Sequence, residues 1–511
     1  MRDRVIIVGA GVGGLCAALA LAARGVDVTV LERAPRPGGK MREVMVGGKP
    51  IDAGPTVFTM RWVFEELMAE AGADLAGEVG LRQAEVLARH AWNATDRLDL
   101  FADVARSAEA VGDFAGAAEA ARFRAFCTRA GEVYRTLETP FLRAGRPSGP
   151  VDLTWRVGLA GLPRLLRLNP FATLWQALGE SFQDPRLQQL YGRYATYCGS
   201  SPFAAPATLM LVAHVEQDGV WYVDGGMYRL AEALARVATR LGANIRCNAS
   251  VASVTTAGGR TDSVVLDTGE RLAADAVIVN ADSAAVAAGL LGPAIAGAVP
   301  PVPAAARSLS ALAWTAVGRA EGFPLARHNV FFGSDYATEF DTIFRQRRLP
   351  DDPTVYVCAQ DRADLPAGDA AGPERFLCLV NAPADGDTRP FDEAEIGRCL
   401  ERMADRLRAC GLTLAAEAAS TTAPADFHAL FPGTGGALYG RASHGWRATF
   451  QRPDTRTAVP GLYLAGGSVH PGPGVPMAAL SGRMAARSVL SDFDSTRPSR
   501  PVAISGGMST R

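Results

Sequence analysis

An α/β fold, with a Rossmann-like domain assembled from separated stretches of chain and a mixed α+β domain inserted between them, is predicted by three segments. The first is "VIIVGAGVGGLCAALALAARGVDVTVLE" at positions 5–32, which reads strand, glycine turn, helix, strand. The second is "ADAVIVNADSAAV" (274–286), a buried strand running into a turn. The third is "GLYLAGGSVHPGPGVPMAALSGRMAARSVL" (461–490), again strand, glycine turn and helix. A continuous Val/Ile/Leu run followed at once by glycines and an Ala/Leu-rich helix is the pattern of a parallel strand buried on both faces.

Taken in order, residues 5–9 read as a strand, 13–24 as a helix and 26–32 as a second, β-branched strand. Loop and short strand follow over 33–59, punctuated by Gly and Pro. Long helical patterns with Pro-rich breaks run from about 60 to 215. "GVWYVDGGMYRLAEALARVATRLGANIRCNASVASV" (219–254) reads as helix then strand, and 300–450 is mixed, with strand-like "TVYVCAQ" and "RFLCLV". Residues 1–75, 217–290 and 451–495 are therefore assigned to the nucleotide domain. Residues 76–216 and 291–450 form the inserted domain, and 496–511, rich in Ser, Arg and Pro, a disordered tail.

Composition narrows the function. With 52 basic and 53 acidic residues and no basic run, nucleic acid is set aside as a partner. Eight scattered cysteines without C-x-x-C and without clustered His argue against a metal site or a disulfide framework, and for a reducing, cytoplasmic compartment. The glycine-broken N-terminus is not read as a signal peptide. No run of 18 apolar residues exists to span a bilayer, which leaves peripheral contact open.

Gly9, Gly11 and Gly14 fit G-x-G-x-x-G. The first permits the tight turn, the second lets backbone approach a pyrophosphate, and the third lets helix pack on strand. Phosphates then meet the N–H groups and positive dipole end of that helix. Glu32, about twenty residues on, is placed to accept from ribose hydroxyls. Lys40 follows two glycines, where a cation faces phosphate and ribose, and Gly54-Pro55-Thr56 offers a rigid turn for a flat ring. Only a long dinucleotide needs the C-terminal turn as well, its helix N-terminus meeting ribityl and pyrophosphate oxygens. The cofactor expected is FAD rather than NAD.

The fingerprint with "PGGKMRE…DAGPTVF", "TYCGSSPFAAPA" (196–207), "YVDGGMYRLAEALA" (222–235), "FPGTGGALYGRASHG" (431–445) and "AGGSVHPGPGVPMA" together resemble the bacterial phytoene desaturase family of FAD-dependent carotenoid desaturases, within the larger amine oxidase group. They cover essentially the whole chain in that family's order. The likeness is strongest to the branch acting on 1-hydroxycarotenoids at C-3,4, in the acyclic xanthophyll pathway of photosynthetic bacteria. The resemblance implies FAD contacts at Gly9, Gly11, Val12, Gly13, Gly14, Glu32, Lys40, Pro55 and Thr56. It also implies them at Val251, Asn280, Ala281, Gly467, Ser468, Gly474, Val475, Pro476 and Met477. Two departures stand out: relatives often carry Arg at Lys40, and an acid at Ser468.

The implied reaction is hydride loss from an allylic C–H to flavin, with a neighbouring proton leaving; no nucleophile is required. The implied partners are an acyclic carotenoid, a membrane surface and, as electron acceptor, oxygen or a quinone. Expected localisation is cytoplasmic, peripheral to the inner or intracytoplasmic membrane. His214, His328, His428, His444, His470 and Asp224 are possible bases, but a lone His more often serves structure and no catalytic base is assigned. "TWRVGLAGLPRLLRLNPFATLWQAL" (154–178), with Arg156, Arg164 and Arg167, reads equally as an interfacial segment or as core helices with exposed arginines. A flavin amine oxidase, a carotene isomerase and a non-catalytic isoprenoid escort remain as rivals.

Overall fold

A computed structural model of the chain describes residues 3–158, 161, 165, 168–169, 171–362 and 372–496. Of the expected tail, Thr496 ends a helix, while residues 497–511, Arg164 and Arg167 lie outside the described residues.

The strand Arg4–Val8 pairs in parallel with Asp27–Leu31 on one side and Ala276–Val279 on the other. Leu462–Leu464 extends the sheet beyond Ala276–Val279, and Asn244–Arg246 extends it beyond Asp27–Leu31. Five segments from the start, middle and end of the chain thus form one parallel sheet. Val5, Ile6, Ile7 and Val8 are all buried, as a strand covered on both faces requires. One face carries the helix Val12–Ala22, which packs on Val475–Thr496 and on Tyr228–Arg240. The other carries a three-stranded antiparallel sheet built from Val251–Ala257, Arg260–Leu266 and Arg271–Ala273.

A seven-stranded sheet forms the second layer system, taking its strands from 86–101 and 310–422. It is antiparallel except where Arg89–Ala91 pairs in parallel with Asn329–Phe331. Here the structure corrects the reading of 60–215 as helix. Leu81–Gln83, Val86–Ala91 and Arg97–Phe101 are strands. Short apolar runs carry no period of their own; "VLARHA" pairs with Arg97–Phe101 in a hairpin on one side and with Asn329–Phe331, some 240 residues downstream, on the other. The hairpin Glu43–Val46 and Lys49–Asp52 packs Val46 and Ile51 on Val317 of the large sheet, joining the two systems.

One buried acid in this sheet system gives a pH signature. Glu339 is 2% exposed, and its Oε2 accepts from the Thr354 backbone and hydroxyl. Burial pushes its pKa up to about 7 from 4.5, against the pull of the Thr354 and Asn381 hydrogen bonds. A folded pKa above the unfolded one favours the protonated fold. Its contribution is therefore complete below about pH 4.5 and lost as pH rises through 7. Glu339→Gln should flatten melting temperature between these limits and stabilise the protein at pH 8 by about 3 kcal/mol. A wild-type slope retained in the variant would contradict this.

Candidate functional site: a cleft between two glycine turns

The N-terminal turn is built from close approaches that exclude side chains. A Cβ on Gly14 would lie 2.1 Å from the Gly9 carbonyl oxygen, and one on Gly11 2.8 Å from Asn280 Nδ2. Gly9 itself sits at φ +100°, a conformation glycine adopts without strain. Its N–H donates to the Leu31 carbonyl at 2.8 Å. Gly11 caps the Val12–Ala22 helix without a side-chain bond, and no acid occupies the first turn. The N–H groups of Val12, Gly13 and Gly14 are thus left to an anion.

The C-terminal turn closes on the same point. A Cβ on Gly13 would meet Asn280 Oδ1 at 2.5 Å and the Gly466 backbone N at 2.9 Å. A Cβ on Gly482 would meet the Gly13 carbonyl at 2.1 Å, so the two helices touch backbone to backbone. Asn280 stands between the turns; its backbone N–H donates to Val8 O at 2.8 Å, and its Oδ1 is buried without a partner. Gly467 and Ser468 follow, and Gly474, at φ +117°, leads into Val475, Pro476 and Met477, the first helical turn. Ser468 is buried and its hydroxyl accepts from the Ser283 N–H at 3.0 Å, so this side chain is engaged with protein. Ala281 is half-buried directly behind Gly9.

At the nucleotide end, Glu32 accepts from the Ala10 N–H at 2.7 Å and the Ala34 N–H at 2.9 Å. A carboxylate has about four acceptor positions, so lone pairs remain for ribose hydroxyls. The Glu32 carbonyl accepts from Ala249, two residues before Val251, which opens the antiparallel strand paired to Leu266. Lys40 is half-buried; its Nζ donates to the Leu438 carbonyl at 2.5 Å and lies 5.3 Å over the Phe431 ring. Burial lowers its pKa, against the pull of the nearby Asp282.

Pro55 and Thr56 stand where "DAGPTVF" turns. Gly54 has no room for a side chain, since a Cβ would lie 1.9 Å from the Lys40 carbonyl. The Thr56 hydroxyl shares a 2.7 Å hydrogen bond with Tyr356, whose own hydroxyl lies 2.7 Å from His328 Nδ1.

Of the acid/base candidates, Asp224 is exposed and paired to Arg82 at 3.2 Å. His428 and His444 accept backbone N–H groups of Gly435 and Ser201. His470 Nε2 donates to the Phe141 and Ala144 carbonyls, and His214 packs against the Tyr134 ring. Burial lowers the pKa of His444 and of His470 to about 4, so both imidazoles are neutral.

Asp52 was not singled out in the sequence. It is buried and accepts from the Met227 and Tyr228 N–H groups at 2.7 and 3.2 Å, holding the start of the Tyr228–Arg240 helix. A Cβ on Gly226 would lie 2.5 Å from its Oδ2. The signal was present in the pairing of "DAGP" with "YVDGGM": an acid and glycines spaced far apart, each explaining the other.

An uncapped, acid-free helix start, a second glycine turn against it, an unpaired buried amide end and a carboxylate with spare lone pairs fit a dinucleotide. The pattern of the flavin containing amine oxidoreductases matches residues 12–490. The chain belongs to that family, and it is an FAD-dependent oxidoreductase. It is 55% identical over 511 residues to hydroxyneurosporene desaturase of Rubrivivax gelatinosus, covering 99% of this chain and 97% of that protein. It is 45% identical over 495 residues to the enzyme of the same name from Cereibacter sphaeroides, covering 96% and 98%. An oxidoreductase from Methanosarcina mazei shares the fold with TM-score 0.60 at 17% identity, over 96% of this chain and all of that one.

Proposed function

We propose that this protein introduces a C-3,4 double bond into acyclic 1-hydroxycarotenoids of the 1-hydroxyneurosporene type. The observation that carries this reading is the likeness to hydroxyneurosporene desaturases over nearly the full chain, inserted domain included. When bound, FAD supplies the hydride acceptor that the reaction needs.

In this reading Gly9, Gly11, Val12, Gly13 and Gly14 hold the pyrophosphate, and Glu32 the adenosine ribose. The Val251 backbone lies along the adenine, and Lys40 answers the phosphate charge. Pro55, Thr56, Asn280, Ala281, Gly467, Ser468, Gly474, Val475, Pro476 and Met477 line the ribityl chain and ring. The parallel-sheet segments form the FAD domain, while 76–216 and 291–450 exclude water and orient the polyene. The electron acceptor is oxygen or a quinone.

The enzyme works at the face of the intracytoplasmic or inner membrane, which dissolves its substrate. Among the described residues no helix is long and apolar enough to cross a membrane. Supporting a docking face, Val151 and Trp155 are 71% and 80% exposed one turn apart on Pro150–Val157, a helix with no buried residue. Phe171 is 76% exposed and stacks edge-on against Trp446, beside the exposed Arg447. Aromatic side chains next to arginine suit an anionic lipid interface. Trp155→Ala with Phe171→Ala should cut flotation with anionic liposomes about tenfold or more. Undiminished flotation of the double variant would refute the docking face.

The activity is tested with FAD-loaded protein and liposomes carrying either a 1-hydroxylated acyclic carotenoid or its unhydroxylated parent. Preferential 3,4-desaturation of the hydroxylated chain is expected. Equal turnover of both would overturn the substrate assignment.

A further inference from the structure

Apart from His328, the other five histidines make contacts that fix them in the fold; His90, the first in the chain, donates Nδ1–H to the Leu98 carbonyl at 3.1 Å, and its Nε2, like His470 Nδ1, is buried without a partner. His328 alone ends a chain of side chains. It is 2% exposed, its Nδ1 meets Tyr356 and through it Thr56, and its Nε2 is buried without a partner. Arg193, whose charge acts on His328, is 6% exposed and lies over the Tyr194 and Tyr197 rings. Its Nη2 donates to the Tyr197 hydroxyl at 3.0 Å, and Tyr197 donates on to Glu216 at 3.0 Å, but its Nε–H is also buried and unpartnered. Burial, then the charge of Arg327 and to a lesser degree that of Arg193, lower the His328 pKa to about 3, so the imidazole stays neutral and one of its nitrogens keeps a lone pair.

Resting on the desaturase reading above, we propose that His328 binds the terminal hydroxyl of the substrate. An alcohol both donates and accepts, so it can meet the buried, unpartnered His328 Nε2 in whichever role the Tyr356 bond leaves to that nitrogen. The position fits the regiochemistry. In a 3,4-desaturation the carbinol carbon lies two bonds from the reacting pair, so whatever binds the hydroxyl must stand beside the flavin. The His328 chain ends at Thr56, the residue assigned to the flavin turn. A site built to hydrogen-bond a hydroxyl rejects the analogue lacking it, because its own polar groups are then left buried and unpaired. Tyr356 and Thr56 act as positioning residues.

The test compares FAD-loaded wild type, His328→Leu, His328→Gln and Tyr356→Phe. The readouts are the ratio of kcat/KM for the 1-hydroxylated carotenoid to that for its unhydroxylated parent, and the ratio of their dissociation constants by quenching of protein fluorescence. His328→Leu should reduce both ratios about tenfold or more. His328→Gln, which retains donor and acceptor, should retain part of the preference, and Tyr356→Phe should lose less than the leucine variant. Flavin absorbance reports that each variant holds its cofactor. Ratios unchanged in His328→Leu and Tyr356→Phe, or losses equal for both carotenoids, would overturn the assignment. A wild type that desaturates neither chain removes the desaturase reading itself, and that result is distinct because it precedes any substitution.

Discussion

Gly14→Ala is expected to yield folded protein that purifies without its yellow flavin. The methyl group would have to occupy space 2.1 Å from the Gly9 carbonyl and 3.2 Å from Asn280 Cβ, all of it backbone or buried side chain with little freedom to retreat. Relief requires the helix to move off the strand, which carries its N–H groups away from the phosphates. An overpacking cost of about 1–3 kcal/mol placed on the bound state corresponds to FAD affinity roughly tenfold to a hundredfold weaker. The ratio of flavin to protein absorbance, followed by FAD titration, measures it; unaltered flavin content would show that the turn does not carry the cofactor. Gly482→Ala should behave similarly, since its methyl would strike the Gly13 carbonyl from the other helix.

The largest loss of stability is expected from Glu216→Leu. Glu216 is 4% exposed and accepts from Tyr194 at 2.6 Å and Tyr197 at 3.0 Å; through Tyr197 it balances the buried Arg193. Removing the carboxylate leaves a buried cation without its acid and two phenols without their acceptor, at a cost of about 3–5 kcal/mol. Glu216→Gln keeps an acceptor oxygen and should lose less. Adding Arg193→Met to Glu216→Leu should recover part of the loss, because the uncompensated charge is gone. Urea denaturation of the four proteins measures these differences; a leucine variant as stable as wild type would mean that Arg193 draws its balance from elsewhere.

What could be read from the chain depended on how local the physics was. "VIIVGAGVGGL" encodes its strand, turn and helix within a few residues, because glycine placement and an unbroken apolar run are local properties. The C-terminal turn was legible for the same reason, and the meeting of the two at Gly13 and Gly466 was expected from the length of the cofactor. The strands at 81–101 were not legible, since "VLARHA" is too short to show a period and one of its two partners, Asn329–Phe331, lies far downstream. Nor was the Thr56–Tyr356–His328 chain, in which Thr56 meets a pair of side chains some 300 residues downstream. Asp52 lay between these cases: its partners are 175 residues away, yet the glycine at Gly226 marks the space its carboxylate fills.

The measurement that bears most directly on the whole account is an anaerobic reaction of the FAD-loaded protein with a 1-hydroxylated acyclic carotenoid, read by flavin absorbance and product mass together. Bleaching of the flavin band in step with a product two hydrogens lighter is the predicted result. A product of unchanged mass formed while the flavin stays yellow would contradict it.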